Sequence, residues 1–240
     1  MLLTAASIRE ELAAVASRDD SKFLSGFFKT GPGQYGEGDV FIGVRVPDTR
    51  AIARRYRDLP LEEIYKLLES EIHEHRLAGL VVLTERYKRA KTNRLRQELF
   101  DFYLDAALRG RVNNWDLVDV TAPTFGDYLV RHPRKTLILN LARSENLWER
   151  RLAMMFTFAH IRAGEFGVPQ HIAMILLNDK HDLIHKAVGW MLREIGNRDV
   201  EVLRAFLAEH HTTMPRTMLR YAIEKLEPAE RSRWMAKEKS

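Results

Sequence analysis

The chain has no cysteine. That excludes disulfides, thiolate-bound metals and a cysteine nucleophile, and it fits a reducing cytoplasm. No apolar run approaches the roughly 20 residues of a membrane-spanning helix. The opening Met1-Leu2-Leu3-Thr4 lacks the basic start and long apolar core of a secretory signal. Only one stretch is rich in glycine, Lys29 to Asp39, and it lacks the Gly-Lys-Ser/Thr ending of a nucleotide-binding P-loop. A plain loop is the better reading, with phosphate binding as the alternative. His73, His75 and His185 show no metal-ligand spacing, so neither a metal nor a cofactor is expected.

Hydrophobic residues make up 45% of the 240, enough for a sizeable core. The net charge of +5, from 38 basic and 33 acidic residues, permits a nucleic-acid partner without requiring one. Distribution carries more information than the total. Basic residues gather at Arg45, Arg50, Arg54 and Arg55, at Lys88 to Arg96, and at Arg150 and Arg151. Any one of these clusters alone reads more simply as a solvated helix face.

The apolar spacing is helical almost throughout. Helices are expected from Thr4 or Ser7, from Asp20 to Phe28, from Val46-Pro47, from Leu59-Pro60 through Leu68, from Ile72 to Arg89 and from Thr92 to Leu108. Asn113 or Asn114 is placed to cap a helix beginning at Trp115, and Pro123 is expected to kink or end it. Further helices follow near Pro133–Ala142, Asn146–Ala163, Pro169–Leu177, His181–Ile195, Val200–Glu209, Pro215–Leu226 and Pro228–Ala236.

Three of these helices pair a tryptophan with a charged group one turn away: Trp115 with Asp119, Trp148 with Arg151, and Lys186 with Trp190. Each pair shares a helix face. A basic residue followed by small or apolar ones also recurs, at Arg76, Arg151, Lys186 and Arg220, in a unit of two helices repeating roughly every 35 residues. That predicts an all-α superhelical solenoid of HEAT-like helix pairs, one domain over residues 1–240. It would comprise N-terminal helices (1–28), a glycine-rich loop (29–40) and the repeat array (41–237), with a concave basic face. The recurring cations would form a ladder along that face, or else cap and bridge neighbouring repeats.

Four segments, in this order and spacing, resemble the AlkD family of DNA alkylation-repair glycosylases. They are Phe41-Ile42-Gly43-Val44-Arg45-Val46-Pro47, Trp115 to Asp119 with Pro123-Thr124-Phe125, Asn146 to Arg151, and Lys186 to Glu194. The similarity runs from about residue 20 to 225. It implies a DNA glycosylase that hydrolyses the N-glycosidic bond of cationic N3- and N7-alkylated purines in duplex DNA without flipping the base, and a wrap-around solenoid would work as a monomer. By resemblance, Trp115 and Trp190 take the tryptophan positions beside the lesion's sugar, Asp119 the carboxylate position, and Arg151 that of an arginine near the phosphates. Arg193 and Lys186 are further phosphate candidates, as are Arg150 and the ladder residues Arg76 and Arg220.

The chemistry is coherent. A cationic purine is already a good leaving group, so positive charge builds on the sugar, where one fixed carboxylate stabilises it and orients water. Aromatic faces add cation–π stabilisation and exclude solvent. Asp116 rivals Asp119, but it sits in the first helical turn, where the helix dipole favours any acid. Trp148 and Trp234 read as packing. Two other readings stay open. One is a helical module that binds distorted or branched DNA and cuts nothing. The other is a protein-interaction scaffold, which the basic ladder argues against.

Overall fold

A computed structural model describes residues 3–236. Among them lie fourteen α-helices and no strand, only an isolated bridge between Val40 and Ile72. Among the described residues, no helix is long and apolar enough to cross a membrane. The described residues form two compact units that divide inside one helix, between Phe125 and Gly126.

The first unit holds α1 (Ala5–Ala14), α2 (Arg18–Phe27), α3 (Val46–Arg55), α4 (Leu61–Leu68), α5 (His73–Arg89), α6 (Asn93–Leu108) and the first part of α7 (Trp115–Arg131). Its starts follow local chemistry. Thr4, Ser17 and Thr92 cap α1, α2 and α6 through their side-chain oxygens, and Pro47 occupies the first turn of α3, where its missing N–H is not needed. The unit is built round α5, which packs on α1, α3, α4 and α6. Every residue of α5 from His73 to Thr84 is buried. A helix apolar all round belongs inside a core, yet α5 opens with four ionisable residues, His73-Glu74-His75-Arg76. Buried polar groups need partners, and these four find them.

The Glu74 carboxylate accepts the amides of Ile42, Gly43 and Val44 at 2.9–3.2 Å, which pins the segment leading into α3. Gly43 makes that turn possible. Its φ is +84°, and a Cβ there would stand 1.9 Å from the Ser17 carbonyl. His75 Nδ1 lies 2.9 Å from the Ser70 hydroxyl. Arg76 donates to the Ser70 and Glu71 carbonyls and to Asp39.

The glycine-rich segment folds on itself. Gly33 N–H donates to the Glu37 carboxylate at 2.9 Å and Gly31 N–H to the Gln34 side chain at 3.1 Å. With those amides occupied and a carboxylate already seated on one, the segment is a loop closed by its own side chains rather than a phosphate cradle.

The second unit continues α7 and adds α8 (Lys135–Ala142), α9 (Leu147–Arg162), α10 (Gly167–Ile175), α11 (Asp182–Gly196), α12 (Val200–His210), α13 (Arg216–Ala222) and α14 (Pro228–Met235). Here α9 and α11 are central. The first packs on α8, α10 and α11, the second on α10, α12 and α13 as well. Close approach sets Gly126, where a Cβ would meet the Phe156 carbonyl at 2.2 Å.

Of the two outcomes expected at Pro123, a kink or an end, the end does not occur: α7 continues to Arg131. Proline offers no N–H to the carbonyl four residues back, so the regular ladder is interrupted at the carbonyl of Asp119.

Candidate functional site

The start of α7 is held by buried polar chemistry in the first unit. The side chain of Asn114 accepts the Trp115 amide at 2.9 Å and donates to Asp39 at 3.1 Å. Asp39 also receives Arg76 and faces His73 Nδ1 at 2.8 Å. The other ring nitrogen, Nε2, lies 2.8 Å from Asp116 Oδ2. Burial alone would push His73 down. The hydrogen bonds to Asp116 and Asp39, with their charges, outweigh it and raise the ring to about 9. His73 is therefore an imidazolium at neutral pH, clamped between two carboxylates. Burial pulls Asp39 upward, but His73, Arg76 and Asn114 together hold it below its ordinary value.

This arrangement separates the two candidate acids. Asp116 is buried and its Oδ2 is engaged by His73, so it ties α7 to α5. Asp119, one turn further, is half-exposed. Beside it in sequence, Leu117, Val118 and Ala122 belong to the core. Nearby, burial pushes the Tyr103 hydroxyl up, and the Asp119 charge adds to that against a 2.7 Å hydrogen bond to Thr121.

Trp115, half-exposed, is fixed by rings. It stacks on Phe28 at 5.2 Å and meets the edge of Phe27 at 6.0 Å. Phe28 stacks on Phe41, and Phe41 on the His73 ring at 4.4 Å. Outward, Phe27 stacks with Phe23, and these two rings stay 53% and 66% exposed. A continuous aromatic series therefore runs from the buried imidazolium through Trp115 to solvent. Sequence reasoning missed it. The available signal was Phe23 and Phe27 one helical turn apart on α2, followed directly by Phe28.

The remaining candidates lie in the second unit. Trp190 is half-exposed, donates from Nε1 to Glu194 at 3.3 Å and tilts against Phe158. Arg162 and Arg198 lie over the same Phe158 ring at 5.4 and 5.8 Å. Lys186 pairs with Asp182 at 2.7 Å. Arg193 pairs with Glu224. Arg220 is exposed, with a 3.4 Å contact to Thr217. Arg151 is only 4% exposed and donates to the Leu183 carbonyl.

Two of the expected phosphate-binding cations, Arg76 on the ladder and Arg150 beside it, are turned to other partners. Arg76 is 4% exposed, and its guanidinium is spent on Asp39 and on the carbonyls six and five residues earlier. Arg150 repeats that geometry. It donates to the Ser144 and Glu145 carbonyls, again six and five residues back, and to Asp179 at 2.6 Å. His185 bonds the Asp179 carbonyl, also six back. The structural repeat thus aligns Arg76 with Arg150 and His185, one position off the sequence register of Arg76, Arg151 and Lys186. In this register the side chain staples the loop entering its own helix, so Arg76 and Arg150 are structural cations and not free phosphate ligands.

The comparisons agree with this architecture. Residues 8–226 match the family model described as DNA alkylation repair enzyme. A solved structure described as a predicted DNA alkylation repair enzyme from Enterococcus faecalis aligns with a TM-score of 0.70 at 17% identity, over 89% of this chain and 97% of that one. The crystal structure of AlkD2 from Streptococcus mutans aligns with a TM-score of 0.54 at 15% identity, over 93% and 97%. No curated protein matches the sequence at a significant level. At these identities the two structures speak for the helical fold, while the family model covers most of the chain. The chain belongs to the DNA alkylation repair enzyme family.

Proposed function

We propose that this protein is a DNA glycosylase that hydrolyses the N-glycosidic bond of cationic N3- and N7-alkylated purines in duplex DNA, without flipping the base. One observation carries the reading. On α7, Asp119 stands half-exposed one turn from Trp115, while Asp116 is withdrawn into the His73 clamp. The family membership supplies the setting of DNA repair.

As the bond to the cationic base lengthens, positive charge moves to the deoxyribose. The Asp119 carboxylate stabilises that charge and orients the attacking water. The leaving base departs neutral, so no general acid is needed. Trp115, pre-set by its stack on Phe28, faces the sugar and favours its developing charge. By the resemblance, Trp190 takes the second tryptophan position. Lys186, Arg193 and Arg220 provide phosphate contacts: Arg220 is exposed, and the acidic partners of Lys186 and Arg193 are exposed enough to exchange for phosphate. Arg151, buried beside the start of α11, supports these contacts from beneath.

The test is release of free base from duplex DNA carrying N7-methylguanine or N3-methyladenine, with chelator present. Release well above the spontaneous rate supports the reading. Tight binding of the same duplex with no release would replace it by that of a non-catalytic DNA-binding module.

A further inference from the structure

We infer that a cleft between α3 and α5 of the first unit is an anion site that holds one phosphodiester of a DNA strand. The cleft is lined by Arg50 and Arg54 from α3, by Val81, Thr84, Glu85 and Lys88 from α5, and by Val120 from α7. Its volume is about 110 Å³, room for a compact anion.

Charge identifies the occupant. Three cations face one carboxylate, and Glu85 is already paired with Lys88 at 3.0 Å. The two arginines remain. Nearby, Arg45 sits on the Asp20 carboxylate and Arg89 on that of Asp58. Among the described residues, the Arg50 and Arg54 side chains make no hydrogen bond or ion pair. Arg54 lies in the last turn of α3, where the helix dipole favours a cation without any ligand. Arg50 lies in mid-helix, and the dipole does not account for it. At i,i+4 the two guanidiniums share one face and converge on the same space. Planar forks in this arrangement match the oxygens of a phosphate.

The source of the phosphate rests on the DNA reading above. Val120 follows Asp119 directly on α7, so the cleft opens beside the turn that carries the proposed catalytic carboxylate. A strand phosphate seated there would hold the backbone next to that turn. This adds two cations that neither the repeat nor the resemblance singled out.

The experiment measures binding of an undamaged duplex oligonucleotide between about 50 and 200 mM salt. It compares wild type, the double variant Arg50→Gln/Arg54→Gln, and Glu85→Gln, with inorganic phosphate titrated separately. The double variant is expected to bind about tenfold more weakly at the low-salt end. Its slope of log affinity against log salt should be shallower by about one. Glu85→Gln is expected to bind more tightly, because it removes the one negative charge in the cleft. An unchanged slope in the double variant overturns the site, as does weaker binding by Glu85→Gln with its thermal melt intact. Arginine-dependent binding of inorganic phosphate, with duplex affinity unaffected, overturns the DNA assignment in favour of a free-phosphate site. No lesion is present, so this outcome is independent of whether base release occurs.

Discussion

Replacing His73 with glutamine tests the buried clamp at the start of α7. The folded protein raises this ring from 6.5 to about 9. At about 1.4 kcal/mol for each tenfold change in proton affinity, that corresponds to about 3 kcal/mol. The direction follows from linkage. A raised histidine stabilises the fold fully below its unfolded value of 6.5, and the contribution drains away as pH climbs through about 9. His73→Gln keeps a hydrogen-bonding amide but loses the charge facing Asp39 and Asp116. For a chain of this size about 3 kcal/mol is a loss of roughly 6 to 12 °C in melting temperature. The full gap between wild type and variant is expected at pH 6 and should close progressively towards pH 10. Thermal melts followed by circular dichroism across that range read it directly. A gap of under about 2 °C at pH 6, or one that does not narrow as pH rises, would refute the reasoning.

Other substitutions probe other parts of the account. Gly43→Ala puts a Cβ against the Ser17 carbonyl at a positive φ, and should destabilise by more than about 1 kcal/mol in urea unfolding, with loss of the Glu74 clamp on residues 42–44. Arg150→Gln leaves Asp179 without its guanidinium and should cost about 3 kcal/mol of stability, while the salt dependence of duplex binding stays as in wild type. On the acid side, burial together with Arg9 and Arg76 lowers His75 to about 4, so its neutral form is favoured in the fold. That contribution is present above pH 6.5 and is lost as pH falls towards 4, so His75→Gln should flatten the acid limb of the stability curve.

Much of the fold could be read from local chemistry. Thr4, Thr92 and Asn146 cap helices where a short side-chain oxygen precedes an amphipathic run, and Pro47 opens α3. Pro123 left two outcomes open, a kink or an end, and the helix does not end there. Its neighbours Ala122 and Phe125 are fully buried, a setting that no local pattern around the proline announces. The register of the repeat was off by one for a similar reason. Basic-then-apolar patterns match equally well at Arg150 and Arg151, and only the folded side chains, each donating to the carbonyls six and five residues back, show that Arg76 and Arg150 are the equivalent pair. Asp116 and Asp119 differ by one helical turn and both read as candidates. The partner that withdraws Asp116 is His73, more than forty residues earlier, and no local pattern announces it.

The central claim is that Asp119 carries the chemistry, and the most direct test sets wild type beside Asp119→Asn. Both would be given duplex DNA with N7-methylguanine, in single turnover with protein in excess, while affinity for the same duplex is measured in parallel. The account predicts base release by wild type, a loss of about a hundredfold or more in the variant, and duplex affinity kept within a few-fold. Undiminished release by Asp119→Asn would contradict it.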